Sequence, residues 1–544
     1  MPKRDFGDYE NPPARPAEQR VEEFRQEVRA LNAQFASWVA RNSSDNGDKL
    51  WDSGLRDYLK YAAKVRGEFK DVLVATGSSD PDLPSGMIFM MGQGDMNQLG
   101  LGEDVIEVYT PEPLRFEGGL RVVKVACGGM HTLALTEGGV LFSWGVNDEG
   151  GLGRDARGGH LALQQGATAG SECIPDRVKF PNKEKIAAIS AGDSHSVAVD
   201  ASGGLWGWGC FRDSGGKFGF NVKVEIQYVP AQVATKGPIL DISSGNDHVL
   251  ALSRSGQVLT WGCAEQGRLG RIRKEDSDAK TKKGDTAWKQ NLLTPSVLSM
   301  LSSVKSVGCG AYSSFAVTAS QEVYAWGLNN YGQLGIQEEG EGGEDGKSAF
   351  FSPRAVATLK GKRVNKIVGG EHHSFALTDG GTLLAFGRPT YGRLGRNDVN
   401  VDEDDRHWLP APVHGFNNLE VVSCAAGLSV SGAITSDGQV YTWGSGGEAL
   451  LGKPEGQDEN ERFPRQIQGL KGSGLSISFG GQHAGLFYSD LWFLVFLGPC
   501  APPCLLPVFE CLLLFVAMPL TRMPVAIPLT YMLVAIAAHT CLSQ

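Results

Sequence analysis

The 544-residue chain has no pair of CxxC motifs and no secretory leader at its start. The first absence removes the usual thiolate zinc frameworks. The second makes a reducing compartment the default for its ten cysteines. Its 72 glycines follow no G-X-Y period, which excludes collagen. Neither GK[ST] nor a helical pattern follows the string Gly92-Gln-Gly-Asp95, so a P-loop and a dinucleotide fingerprint are both missing. Basic charge is in deficit, 51 Lys and Arg against 61 Asp and Glu, for a formal net charge of −10. Such a chain does not read as a general nucleic-acid binder. What is present is apolar and aromatic: 41% hydrophobic residues, with 24 Phe, 12 Tyr and 11 Trp. That excludes a disordered glycine-rich chain and points to a well-packed β protein with many tight turns.

One unit recurs seven times, at intervals of 53–65 residues. It opens on a Gly-containing turn that often ends in His: Cys127–His131, Ala191–His195, Ser244–His248, Cys309–Ser313, Val368–His372, Ala426–Val430 and Phe479–His483. An apolar strand follows, then a polar turn, then a strand ending in Trp-Gly or a relative of it, from Met91-Gly92 and Trp144-Gly145 to Trp443-Gly444. A loop then closes on Leu-Gly or Phe-Gly, as at Leu99-Gly100, Phe218-Gly219 and Leu451-Gly452. Period-two alternation in His131–Thr136 and Val140–Trp144 reads as strands. Units of this length with several short strands each are the mark of a propeller. The repeat opens at 86–92 with late-blade strands and finishes at 476–488 with early-blade strands. Pairing these partial units makes one blade, closes the ring and removes the free sheet edges. The expectation is an all-β fold, a seven-bladed β-propeller over 86–490, with an N-terminal α-helical hairpin extension.

These units resemble the regulator of chromosome condensation family, guanine-nucleotide exchange factors for the small GTPase Ran. The resemblance goes beyond the generic repeat at Gly92–Glu103, Ala191–His195, Ser244–His248, Trp208–Asp213 and Tyr391–Gly395. It implies Ran exchange in the nucleus, in support of nucleocytoplasmic transport and mitosis. It implies no cofactor, no metal and no covalent chemistry. Exchange needs a surface that prefers the nucleotide-free GTPase, because only differential affinity shifts an equilibrium. By resemblance that surface carries Asp95, His131, Asp193, Asp247, His372 and His483. The same likeness places a β-wedge at Phe211, Arg212, Asp213, Ser214, Gly215, Gly216, Lys217 and Phe218, aimed at the GTPase's phosphate site. Each has a plainer reading: turn Asp residues cap backbone N–H groups, a repeated His bonds the next turn, and the wedge is an ordinary glycine-rich hairpin. A propeller scaffold without exchange activity, at chromatin or the nuclear pore, is the alternative function. An enzyme using the His turns lacks any visible nucleophile–base pair.

Four segments lie outside the repeat. Residues 1–17 read as disordered. Over 18–72 apolar residues Val21, Phe24, Val28, Leu31, Phe35 and Trp38 step by three and four, and Trp51, Leu55, Tyr58, Leu59, Ala62, Val65 and Phe69 repeat the pattern. That is a helical hairpin, followed by a linker over 73–85. Val28–Val39 and Asp57–Tyr61 resemble a segment of Nup50-type nucleoporins, and Lys3 and Arg4 resemble their importin-α-binding start. The implied partner of residues 1–72 is importin-α or the pore. The resembled family's long Lys/Arg-rich tail is absent, which puts tail-mediated chromatin binding (histones, DNA) in doubt. A basic insertion, Arg271-Ile-Arg-Lys274 with Lys280, Lys282 and Lys283, offers another phosphate contact, and 338–345 reads as a solvated acidic loop. In 491–544 only Glu510 and Arg522 are charged, and prolines from Pro499 to Pro528 divide every long apolar run. We read this apolar Pro-rich tail as a gene-model artefact rather than a membrane hairpin.

Overall fold

Seven blades of four main antiparallel strands form a propeller in a computed structural model of the chain, the first two blades joined through Gly86↔Val122. The structure describes residues 86–489, apart from 115, 117–119, 155–170, 278–284, 338–340, 343–347, 404, 417 and 471–472. The expected helical hairpin over 18–72, the expected linker over 73–85, residues 1–17 with Lys3 and Arg4, residues 491–544 and Lys280, Lys282 and Lys283 all lie outside the described residues, as does most of the 338–345 loop.

Blade 1 is built from both ends of the repeat. Ser473–Phe479 and His483–Ser489 supply its inner strands, and Gly86–Gln93 and Glu107–Leu114 its outer ones. The closing pairing runs from Gly86↔Ser489 to Gly92↔His483. Blades 2 to 7 then follow in chain order, opening at Val122, Ile186, Ile239, Val304, Val364 and Val421. The joined ends are the expected closure, and the core runs around the ring as packed seams between blades.

Each element of the repeat has a steric or polar reason. In Trp-Gly, the glycine pairs across the sheet with the residue that ends the opening turn, as in His195↔Gly209. Gly209 has φ +91°, and a Cβ there would stand 2.3 Å from the Ser194 carbonyl oxygen. In Leu-Gly, Gly153 has φ +68° and lies against the Trp208 ring, where a Cβ would come within 2.8 Å. Gly209→Ala is therefore expected to destabilise the chain by about 2 kcal/mol or more. Gly237→Ala, with an ordinary φ and open space around it, is the control that leaves the melting temperature unchanged. Thermal unfolding of the two variants checks this.

The buried Trp residues fasten the seams. Trp144, Trp208, Trp326 and Trp443 are almost fully buried. Their indole N–H groups donate to the Gln98, Gly151, Arg268 and Arg393 carbonyls of the preceding blade, at 2.8–3.0 Å. A hydroxyl from the same blade as each indole donates to the same carbonyl: Thr132, Ser196, Ser314 and Ser431 in turn. A histidine from the preceding blade then bonds that hydroxyl. His483 reaches Thr132, His131 reaches Ser196, His248 reaches Ser314 and His373 reaches Ser431, at 2.7–2.9 Å. Burial holds these rings neutral, His131 down to about 4 and His483 to about 3.

Candidate functional site

The turn between the first two strands of a blade and the loop after its third strand emerge at the same end of an antiparallel sheet. All seven opening turns and the expected wedge therefore share one face. Around the central opening the turns are tied by backbone hydrogen bonds. The amides of Gly129, Asp193, Asn246, Ala311 and Glu371 donate to the next blade's turn at 2.8–3.2 Å, and Gly481 closes onto blade 2 at 3.1 Å. The opening is a cavity of about 300 Å³, walled largely by glycine backbone, with Asp193 and Glu371 among its few charged groups.

The ring fixes where each turn residue points. The last turn residue faces the seam, and the third and fourth face the opening and the solvent. His131 and His483 are last residues. They are 2% and 0% exposed and serve the inter-blade hydrogen bonds. Their expected place on the binding face is corrected: a packed, hydrogen-bonded ring inside a seam has no surface to offer a partner. The turn read as Val368–His372 also starts one residue early. Gly370 N–H donates to the His373 carbonyl as Gly128 N–H does to His131, so His373 is the seam histidine. His372 stands instead at the fourth position, where blade 4 has Asp247. It is 15% exposed, lies 3.8 Å from Glu371 Oε1, and packs at 4.9 Å from Tyr331 and 6.2 Å from Tyr312.

Asp193, Asp247 and Asp95 all reach the face. Asp193 is exposed at the mouth of the opening. The surrounding turns bury its carboxyl enough to raise its pKa, against the pull of Arg212. Asp247 is more enclosed, at 13% exposure. Burial pushes it up to about 6, although Arg268 Nη1 lies 3.8 Å away and the Arg212 amide N–H donates to it at 2.8 Å. Asp95, exposed in the blade 1 loop, accepts from Gln98 at 3.3 Å.

The segment expected as a wedge is a β-hairpin. Phe211–Asp213 and Gly216–Gly219 pair around Ser214-Gly215, with Asp213 opposite Gly216 and Arg212 opposite Lys217. Its ends are buried and its tip exposed. Phe211 and Phe218 join the core between blades 3 and 4, Phe218 packing at 5.5 Å on Trp288 of the helix Thr286–Leu293. Arg212, Ser214, Gly215 and Lys217 are open to solvent.

Several residues of this face went unread in the sequence. Arg268 spans Asp247 and the Tyr312 ring, at 4.8 Å from its centroid, and Arg388 lies 4.6 Å from the Tyr331 centroid. Tyr312 and Arg268 stand at the fourth turn position and at the residue before Leu-Gly, which vary between blades; Arg388 and Tyr331 lie in the loops after the third strands, outside the repeated positions. The basic insertion is less free than it reads. Arg271 bonds Thr260 and Asn291 inside the blade, and Arg273 pairs with Glu275 and Asp276. Among the described residues no group of three His, Cys, Asp or Glu could hold a metal ion.

Comparison with known proteins agrees with this geometry. The family model of the RCC1-like domain matches residues 87–486. The chain is 35% identical to "Regulator of chromosome condensation" of Homo sapiens over 418 residues, 74% of this chain and 91% of the human one. It is 32% identical to "Guanine nucleotide exchange factor SRM1" of Saccharomyces cerevisiae over 461 residues, 79% and 91% of the two chains. Its fold overlays the crystal structure of Prp20p from Saccharomyces cerevisiae, reported with its binding to Gsp1p and histones, at a TM-score of 0.65. That match has 29% identity and covers 75% of this chain and 92% of the yeast one. The chain belongs to the regulator of chromosome condensation family, as an RCC1-like seven-bladed propeller.

Proposed function

We propose that this chain is a guanine-nucleotide exchange factor for the small GTPase Ran and works in the nucleus. The observation that carries the reading is the juxtaposition on one face of a protruding hairpin with Asp193 and Asp247 at its base. Relatives named as an exchange factor and as regulators of chromosome condensation support it. The yeast structure's stated binding to Gsp1p and histones supports a GTPase and chromatin as partners.

A GTPase holds its nucleotide through phosphate contacts and Mg²⁺. Shifting a loaded state from 99:1 to 1:99 takes a differential affinity of about 5.5 kcal/mol for the empty state. The face divides that work. Asp95, Asp193, Asp247 and His372 bind and orient the GTPase, the acidic groups meeting its basic side chains. The wedge enters the phosphate region, where its bulk and Arg212 and Lys217 compete with what held the nucleotide. No bond to the protein forms, so the chain regulates a GTPase rather than catalysing a covalent step.

The buried carboxylate sets a pH dependence. Asp247 is ionised at pH 7 and takes up a proton as pH falls through about 6. Exchange is expected to fall between about pH 7 and pH 5, and Asp247→Asn to flatten that part of the profile. Stability moves the other way. A folded pKa raised above 3.8 means this group's contribution is fully present below about pH 4 and is lost as pH rises through about 6. Rate and melting temperature of both proteins across this range test the two signs together.

A further inference from the structure

The wedge hairpin is gripped on both flanks by carboxylates of neighbouring blades. On the blade 4 side, the Glu265 carboxylate accepts the Ser214 amide N–H at 3.1 Å and the Ser214 hydroxyl at 2.6 Å. Ser214 is the first residue of the two-residue turn, so this grip is on the tip. Glu265 itself opens a short 3-10 turn, Glu265–Gly267, in the loop after Trp261-Gly262. On the blade 2 side, Glu149 pairs with Arg212 and lies 4.0 Å from Lys217 Nζ, holding the two strands.

Beneath the hairpin the usual seam fastening is missing. Val249 stands where Ser196, Ser314 and Ser431 stand in other blades, so His195 meets no hydroxyl. His195 is 0% exposed, and neither ring nitrogen has a partner among the described residues. The Phe211 ring covers it, at 4.5 Å between centroids. The hairpin thus rests on an apolar stack at its root, and its polar anchors at and near the tip come from Asp247, Glu265 and Glu149. An isolated two-stranded hairpin is marginal in water. A tip that must displace bound phosphate has to be held in place by something else.

We infer that Glu265 is a positioning residue for nucleotide release: it holds the wedge tip at the angle that enters the GTPase, with Glu149 as the opposing clamp. The inference rests on the exchange reading above. It makes a distinction that reading does not. Asp193 acts on binding and Asp247 on binding and the root of the wedge together, whereas Glu265 acts on the step after binding alone.

The test uses the full chain and Ran loaded with a fluorescent guanine nucleotide. For Glu265→Ala the maximal release rate at saturating exchange factor is expected to fall about 10-fold, the effect of removing a charge-assisted hydrogen-bond acceptor. The half-saturating concentration stays within about twofold, because the binding surface is intact. Glu265→Gln, which keeps an oxygen for the Ser214 N–H, recovers most of the rate. Combined with Ser214→Ala, the losses fall short of additive, as expected for one interaction removed twice. An unchanged maximal rate overturns the inference. So does a rise in half-saturating concentration alone, which would make Glu265 a contact for the GTPase. A rate loss that tracks a lowered melting temperature, with Gln no better than Ala, overturns it as well. A wild-type chain that leaves release unaccelerated overturns the exchange reading and this inference together. An active wild type matched by Glu265→Ala overturns this inference alone.

Discussion

Asp193→Ala and Asp247→Ala are each expected to lower the efficiency of Ran nucleotide exchange by about 30-fold or more. Truncating one partner of a desolvated, hydrogen-bonded charge pair at an interface costs about 2–5 kcal/mol, and 1.4 kcal/mol is about tenfold. The two positions separate binding from folding in different ways. Asp193 is exposed, and its backbone amide, not its carboxylate, ties the ring of turns by donating to Asn246 at 2.8 Å. Its truncation leaves the fold untouched. Asp247 is enclosed and accepts the Arg212 amide, so its alanine variant frees one wedge anchor as well as removing a charge. Asp247→Asn keeps an acceptor there and removes only the charge. Arg268 has other partners in the Glu265 carbonyl, Gln266 and the Tyr312 ring, which hold it when Asp247 is neutral. Steady-state release kinetics with melting curves for all three variants check the prediction. Full activity in Asp193→Ala and Asp247→Asn would remove both carboxylates from the site.

The second large effect belongs to the wedge. Replacing 212–217 by a short Gly-Ser turn, with Phe211 and Phe218 kept, is expected to abolish accelerated release while Ran still binds. The retained phenylalanines matter because they fill the core between blades 3 and 4, each no more than 6% exposed. Removing a buried Phe would cost about 3–5 kcal/mol and confound activity with folding. The exposed tip carries no such packing. Binding of nucleotide-free Ran, measured beside release, separates a lost wedge from a lost surface. Release at the wild-type rate from the tipless chain would show that the hairpin is ornamental and that the acidic face alone drives exchange.

The propeller was legible because its glycines answer to hard sterics. A Cβ at Gly209 or Gly153 strikes a carbonyl or an indole, so Trp-Gly and Leu-Gly recur wherever the blade geometry recurs. The offset ends showed the ring closure for a similar reason: each terminal segment holds half a blade and cannot satisfy its edge alone. The site was less legible. A histidine at the end of a turn looks the same in sequence whether it faces solvent or a seam, so the turn alone does not separate buried His131 and His483 from surface residues. The sequence did hold a discriminating signal. The residue after each turn's last position is a hydroxyl in the blade that follows a histidine, as Ser196 follows His131 and Thr132 follows His483. His195, followed one blade on by Val249, breaks the rule at the seam that carries the wedge. Two adjacent histidines, His372 and His373, leave the register ambiguous in sequence, and the Gly370 N–H bond to the His373 carbonyl fixes it. Glu149 and Glu265 left no local mark, because their partners lie 63 and 51 residues away along the chain.

Release of a fluorescent guanine nucleotide from Ran, with and without this protein, tests the central claim most directly. Stabilising the empty GTPase by about 5.5 kcal/mol corresponds to ~10⁴-fold in the equilibrium it shifts. Acceleration by on the order of a thousandfold or more, at catalytic concentrations of the chain, is the predicted result. A folded chain that binds nucleotide-free Ran and leaves release at its spontaneous rate would contradict it, and would make the propeller a scaffold.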